Sequence, residues 1–189
     1  MPKEKLTITE SKCGEGVEDK NKDVPDSLNL GCRFQTDDSI VEISDSEQKM
    51  QITRQILEAL PEWFGIPESR EEYIRDSVDQ VFFAAFEEDK PIGFLCLKET
   101  GKATAELAVM GVLKEYHRKG IGRKLFEKAK AAAKQSGYSF LQVKTVEMGR
   151  YEEYDRTNQF YLSLGFKELE VFPTLWDEWN PCQIYVMAI

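Results

Sequence analysis

Histidine occurs once in the 189 residues, at His117, and cysteine four times, at Cys13, Cys32, Cys96 and Cys182, with no CxxC spacing. A zinc site draws on several such ligands close together, so no metal is expected. Scattered thiols without a paired framework fit reduced cysteines in a cytoplasmic protein. Also missing is any apolar run near the ~20 residues that a membrane helix needs. The start lacks the apolar core of a signal peptide. Positive charge is in deficit. Lys and Arg number 25 against 34 Asp and Glu, for a net charge of -9. That balance argues against bulk binding to nucleic acid or to an anionic membrane. No internal repeat is present.

What remains is enough for one domain with a sizeable core, since 41% of residues are hydrophobic and 31% charged. Residues 1–38 are polar and charge-rich without a clear period, and read as an extension outside that domain. A strand that pairs with a sheet edge is left open at Leu28 to Phe34. The domain then begins at residue 39. Ser39 to Ile43 reads as a strand, and Ser44 to Glu47 as a capping box. Met50, Ile52, Ile56, Leu57 and Leu60 follow at helical spacing until Pro61 ends the helix. A loop carries Trp63 and Phe64. A charged helix is expected over Glu68 to Val78. Val81 to Glu87 and Ile92 to Lys98 read as a hairpin, and Thr104 to Leu113 as the next strand. A helix then runs to Gly137. Tyr138 to Val146 is a strand, and Asp155 caps a helix that Gly165 closes. Phe166 to Phe172 and Gln183 to Ala188 are the last strands. The order βααβββαβαββ is that of a mixed α+β layer fold.

One stretch organises the rest. Glu106 to Phe126 runs from a buried strand through a basic turn to Gly120-Ile121-Gly122, where apolar residues resume at helical spacing. The first turn of a helix has unpaired N–H groups and the positive end of the helix dipole, so it suits an anion. Glycine lets that anion approach the backbone. Arg118, Lys119, Arg123 and Lys124 add positive charge. The dinucleotide fingerprint fails, because Leu125 takes the place of its third glycine, and no Walker A lysine follows. The local pattern alone fits either a phosphate site or a basic helix start with a tight turn.

Three segments in order carry a family resemblance. Gly120 and Gly122 match the [Q/R]xxGx[G/A] loop, with His117 at the Gln/Arg position. Ala105-Glu106-Leu107 and Phe160 to Phe166 match its "AE(I/L)" and "FYxxxGF" elements. Residues 39–189 thus resemble the GNAT superfamily of acetyl-CoA-dependent N-acetyltransferases. The resemblance implies the acyl-CoA N-acyltransferase fold: a mixed, mostly antiparallel sheet of about six to seven strands flanked by about four helices.

The resemblance also implies roles. The pyrophosphate of acetyl-CoA would lie against His117, Arg118, Lys119, Gly120, Ile121, Gly122 and Arg123. Its pantetheine arm would pair with Met110, Gly111 and Val112, and glycine inside a strand marks a bulge or a close approach. Glu106 corresponds to the general base of the histone-acetyltransferase branch, and Tyr161 to the tyrosine at the departing sulfur. Each has a structural alternative, a strand-end glutamate and a packed helix aromatic. Tyr154 stands where the family has Asn; Asn158, a surface residue by the alternative reading, and Arg156 are the remaining cofactor candidates on that helix. Trp63, Phe64 and Trp176 are candidates for acceptor contacts, or for packing. Acidic loops with interleaved tryptophan suit a cationic amine, small molecule or peptide, though they also follow from the overall charge. The expected activity is transfer of acetyl from acetyl-CoA to a primary amine, as co-substrates in a ternary complex, with no metal. The competing readings are a non-catalytic acyl-CoA-binding module and an interaction protein; a homodimer is left open.

Overall fold

The computed structural model describes residues 39–189, so the extension over 1–38, the strand at Leu28 to Phe34 and the domain boundary lie outside the described residues. Seven strands form one sheet: β1 (Ser39–Ile43), β2 (Val81–Glu87), β3 (Lys90–Gly101), β4 (Thr104–Val112), β5 (Phe140–Val146), β6 (Lys167–Phe172) and β7 (Cys182–Ala188). Four α-helices accompany them: α1 (Ser46–Glu58), α2 (Pro67–Asp76), α3 (Ile121–Gln135) and α4 (Glu152–Leu164). The expected order of elements is observed, with short 3-10 turns at Ser77–Asp79 and Lys114–Tyr116.

Strands β2 and β3 read as near-continuous apolar runs because both sheet faces are covered there. Phe82, Ala84, Phe94 and Cys96 point to the side where α1 lays Ile52, Ile56 and Leu57. Phe83, Ala85, Leu95 and Leu97 point to the other, against Leu125, Phe126 and Ala129 of α3 and Tyr161 and Leu164 of α4. Burying each large apolar side chain contributes roughly 1.5–3 kcal/mol. Asp45, rather than Ser44, caps α1, accepting from the Gln48 N–H at 2.7 Å. The helix stops at Glu58, ahead of Pro61.

Two local differences from the sequence reading have physical causes. Helix α4 begins at Glu152, not after a cap at Asp155. Glu152, Glu153 and Asp155 fill its first turn, where carboxylates face the positive end of the dipole. An acidic stretch therefore looks like loop in the sequence and is helix in the fold. The Asp155 carboxylate instead accepts from the Gly149 N–H at 2.6 Å. The second difference is in β4. Cys96 pairs with Val109 but Leu97 with Leu107, so Ala108 is an extra residue, a β-bulge. The bulge is at Ala108 and not at Gly111. Gly111 answers a close approach on its far side: a Cβ there would lie 2.7 Å from Ile56 Cγ2.

The sheet order is β1-β2-β3-β4-β5-β7-β6, and every neighbouring pair is antiparallel except β4 and β5. Those two run parallel and pair only from Thr104 to Glu106 with Phe140 to Gln142. Beyond Glu106 they part. The opening between them is the feature that positions the site.

Candidate active site

The gap between β4 and β5 opens into a cavity of about 1130 Å³. Its walls are the backbone of β4 from Leu107 to Val112, the turn before α3, the inner face of α4, one face of α2 and the β6–β7 connection.

At one end stands the glycine-bearing turn. Gly120 caps α3 with φ +85°, a left-handed conformation that costs glycine little, and no side chain caps the helix. The first backbone bond of the helix runs from the Lys124 N–H to the Gly120 carbonyl at 3.0 Å. The N–H groups of Ile121, Gly122 and Arg123 have no acceptor among the described residues. Arg118 is also left-handed, with φ 59°, in a loop that carries backbone strain. Gly122 faces the Phe160 ring; a Cβ there would lie 3.1 Å from Phe160 Cζ. His117 Nε2 donates to the Val112 carbonyl at 2.7 Å, and its ring meets Trp63 edge-on. His117, expected beside the pyrophosphate, thus holds a backbone carbonyl of β4.

Three N–H groups and two arginines therefore stand at one end of a cleft. That arrangement accepts an anion. Arg123 lines the cavity and sends Nη2 to the Ser163 carbonyl at 3.3 Å. Lys119 does not line it; its ammonium sits 4.8 Å over the Tyr116 ring. Arg156 lines the cavity but is ion-paired with Glu152.

The middle of the cavity holds three phenols, Tyr73, Tyr154 and Tyr161. Burial, with each other's charge behind it, pushes the Tyr161 phenol well above the ordinary tyrosine range. Burial pushes Tyr154 up to about 12. Burial, then the Glu106 carboxylate, raises Tyr73. All three are therefore protonated at neutral pH and able to donate. Tyr154 donates to the Trp63 carbonyl at 2.9 Å, and Trp63 Nε1 to Thr157 Oγ1 at 3.1 Å. These two bonds fasten the α1–α2 loop to α4. Met110, Gly111 and Val112 present backbone to the same space. Trp63, Phe64 and Trp176 line it from the side of α2 and the β6–β7 connection.

Glu106 lies elsewhere. The bulge at Ala108 shifts the alternation of β4, so Leu107 and Met110 share a face while Glu106 points the other way, beside Lys98 on β3. It occupies a recess of about 150 Å³ with Tyr73, Asp76, Gln80 and Lys98, and the recess adjoins the cavity at Tyr73, Ala108, Lys144 and Trp176. Only 9% of Glu106 is exposed. Its Oε2 accepts from Lys144 Nζ at 2.7 Å and Gln142 Nε2 at 2.8 Å. Glu106 and Tyr161 thus approach the gap from opposite faces of the sheet.

Asn158 is fully buried, not on the surface. Its amide donates to the Val146 and Tyr154 carbonyls at 3.0 and 2.7 Å, and its oxygen accepts from the Tyr185 hydroxyl at 2.7 Å. It ties α4 to β5 and β7 and does not line the cavity. Arg70 and Tyr73 line the cavity and were not singled out from the sequence. Arg70 and Tyr73 fall on one face of α2 with Ser69 and Ile66, a spacing that was there to be read. Tyr154 was noted only as a departure from the family's Asn, because the helix start was read late.

The seven-stranded mixed sheet, parted at one parallel pair and backed by helices on both faces, defines an acyl-CoA N-acyltransferase fold. The description "Acetyltransferase (GNAT) domain" matches residues 78–168. An uncharacterized N-acetyltransferase of Chlorobaculum tepidum is 32% identical over 114 residues, 59% of this chain and 64% of that protein. The chain therefore aligns with just under two thirds of that relative's length. A crystal structure from Desulfovibrio desulfuricans, described as an acetyltransferase of the GNAT family, superposes with a TM-score of 0.69 at 20% identity, covering 79% of this chain and 98% of that one. An aminoglycoside 6'-N-acetyltransferase complexed with coenzyme A superposes with a TM-score of 0.62 at 17% identity, covering 79% and 96%. At such identities the structures share the fold. The two sequence matches both point to the GNAT superfamily. Among the described residues, no helix is long and apolar enough to cross a membrane.

Proposed function

We propose that the protein is an N-acetyltransferase that moves the acetyl group of acetyl-CoA to a primary amine of a cationic acceptor, by direct attack in a ternary complex. The observation that carries this reading is the run of unpaired N–H groups at Ile121, Gly122 and Arg123, at one end of the gap between β4 and β5. Coenzyme A structures with this fold support it; one relative is a complex with coenzyme A and another, from Salmonella typhimurium, is described with its cofactor acetyl-CoA.

In this reading the amides of residues 118–123, with Arg118 and Arg123, hold the diphosphate. The backbone of Met110 to Val112 takes the pantetheine amides as an added strand would. The acceptor enters between Trp63, Phe64 and Trp176. Its nitrogen attacks the thioester carbonyl; the N–C bond forms and the C–S bond breaks. Glu106 takes the ammonium proton, directly or through water, Tyr161 gives its proton to the departing thiolate, and the second proton that leaves the nitrogen restores the Tyr161 phenol. The raised affinity of Tyr161 for its proton suits a donor that is loaded at every physiological pH. Residues 39–189 constitute the working domain.

A non-catalytic acyl-CoA-binding module is favoured by one observation, the occupation of Glu106 Oε2 by both Lys144 and Gln142. Variants separate the two. Glu106→Gln and Tyr161→Phe are each expected to lower kcat for thiol release by about 10²-fold or more while acetyl-CoA binding stays within a few-fold. Unchanged turnover in both would remove these roles. Deleting residues 1–38 should leave acetyl transfer intact; its loss would move the activity to the extension.

A further inference from the structure

The cations that border the cavity are not equally engaged. Lys144 is ion-paired with Glu106 and Arg156 with Glu152. Arg118 and Arg123 stand at the turn before α3, where an anion is already expected. Arg70 belongs to none of these groups. It lines the cavity from α2 and forms no ion pair among the described residues, in a chain with nine more acidic than basic side chains. One weak bond, from Nη1 to the Phe64 carbonyl at 3.3 Å, holds the guanidinium, and its Nε is buried with no partner. Of the nearby acids, Glu72 also lines the cavity but forms no ion pair with Arg70, and two others are bound elsewhere. Glu71 takes Arg54 at 2.5 and 2.7 Å, and Asp177 is bound to Trp179 and Asn180. A guanidinium partly stripped of water and left without a carboxylate is set up for an anion from outside, end-on through Nη1 and Nη2.

Its place on α2 says which part of a ligand that anion belongs to. Arg70, Tyr73 and Asp76 follow at three-residue steps and all face the cavity. Six residues of helix separate Arg70 from Asp76 by about 9 Å along the axis. Asp76 opens on the recess that holds Glu106. The wall thus offers a cation at one end, carboxylates at the other and an aromatic ring between. We infer that Arg70 binds a carboxylate of the acceptor, which is therefore zwitterionic, an amino acid or short peptide with its amine and carboxylate on one molecule. The inference rests on the acetyl-transfer reading for what happens to the amine.

The test compares 6-aminohexanoate and L-lysine with 6-aminohexanamide and L-lysinamide. Turnover is read as thiol release from acetyl-CoA. Binding is read separately, in the presence of CoA, by the fluorescence of Trp63 and Trp176. The acids are expected to exceed the amides at least tenfold in kcat/KM. In Arg70→Gln that ratio should fall below twofold, with the change carried by KM for the acid, and Arg70→Lys should keep part of it. Equal use of acid and amide by the native protein, or an equal loss for both in Arg70→Gln, would overturn the inference. Thiol release without a preference for acids would sink the Arg70 site and leave acetyl transfer standing. Acid binding that Arg70→Gln abolishes, without thiol release from any amine, would keep the site and end the acetyl-transfer reading. Neither binding nor turnover of the acids would overturn both.

Discussion

Single residues set the shape of the site more by what they lack than by what they carry. Gly122 is the clearest case, because the Phe160 ring occupies the space a side chain would need. Gly122→Val is expected to push Phe160 and the start of α3 apart, and to weaken coenzyme A binding by about tenfold or more. Titration calorimetry against the native protein measures it, with Gly101→Val as control, since nothing lies within 4 Å of a Cβ at that position. Much at this scale was legible. Gly120 and Gly122 announced a helix start, whose donor pattern is fixed whatever surrounds it. Asn158 was not legible. A lone asparagine on a helix has no local signature that separates surface from core, and only the arrival of Tyr185 from β7 gives it a partner. The face of α2 that carries Arg70 was readable from spacing, but its lack of an ion pair was not, since an unpaired arginine differs from a paired one only in its surroundings.

Among the elements, β4 carries the greatest consequence. The bulge at Ala108 lets one strand send Leu107 and Met110 to the α3–α4 side and Glu106 to the α1–α2 side. Glu106 thus lies on the face opposite Tyr161 of α4. Nothing in the apolar run of β4 betrays this extra residue, because bulge positions have no side-chain code that alternation reveals. Gly111 drew notice in the sequence as a place of close approach; the approach is that of α1, through Ile56. Gly111→Ala should therefore lower stability by about 1–3 kcal/mol through overpacking. Chemical denaturation of the pure protein reads it. A change in acetyl-CoA affinity with no loss of stability would instead mean that the glycine serves the ligand side.

At the scale of the whole molecule, the sequence of helices and strands was readable from periodicity and turn chemistry, but the sheet order was not. The insertion of β7 between β5 and β6 rests on pairings far apart in the chain, such as Leu141 with Met187. No local signal encodes these. The same core makes a prediction about alkali. Tyr73, Tyr154 and Tyr161 hold their protons more tightly when folded, chiefly through burial. The unfolded chain releases these protons near the ordinary phenol value of about 10. The folded state thus binds more protons, and stability falls as pH rises above 10. Their contribution is fully present below that value. Denaturation midpoints from pH 8 to 11 should decline at the top of that range, and Tyr154→Phe should flatten the decline. A flat native profile would refute it.

The proposed function depends most directly on the backbone amides ahead of and within the first turn of α3. Titrating the isotopically labelled protein with coenzyme A and following ¹H–¹⁵N resonances tests them directly. Binding should shift Gly120, Ile121, Gly122 and Arg123 downfield together, with the largest changes in the spectrum at these positions and one shared dissociation constant. Saturation by coenzyme A that moves resonances elsewhere while these four stay in place would contradict it.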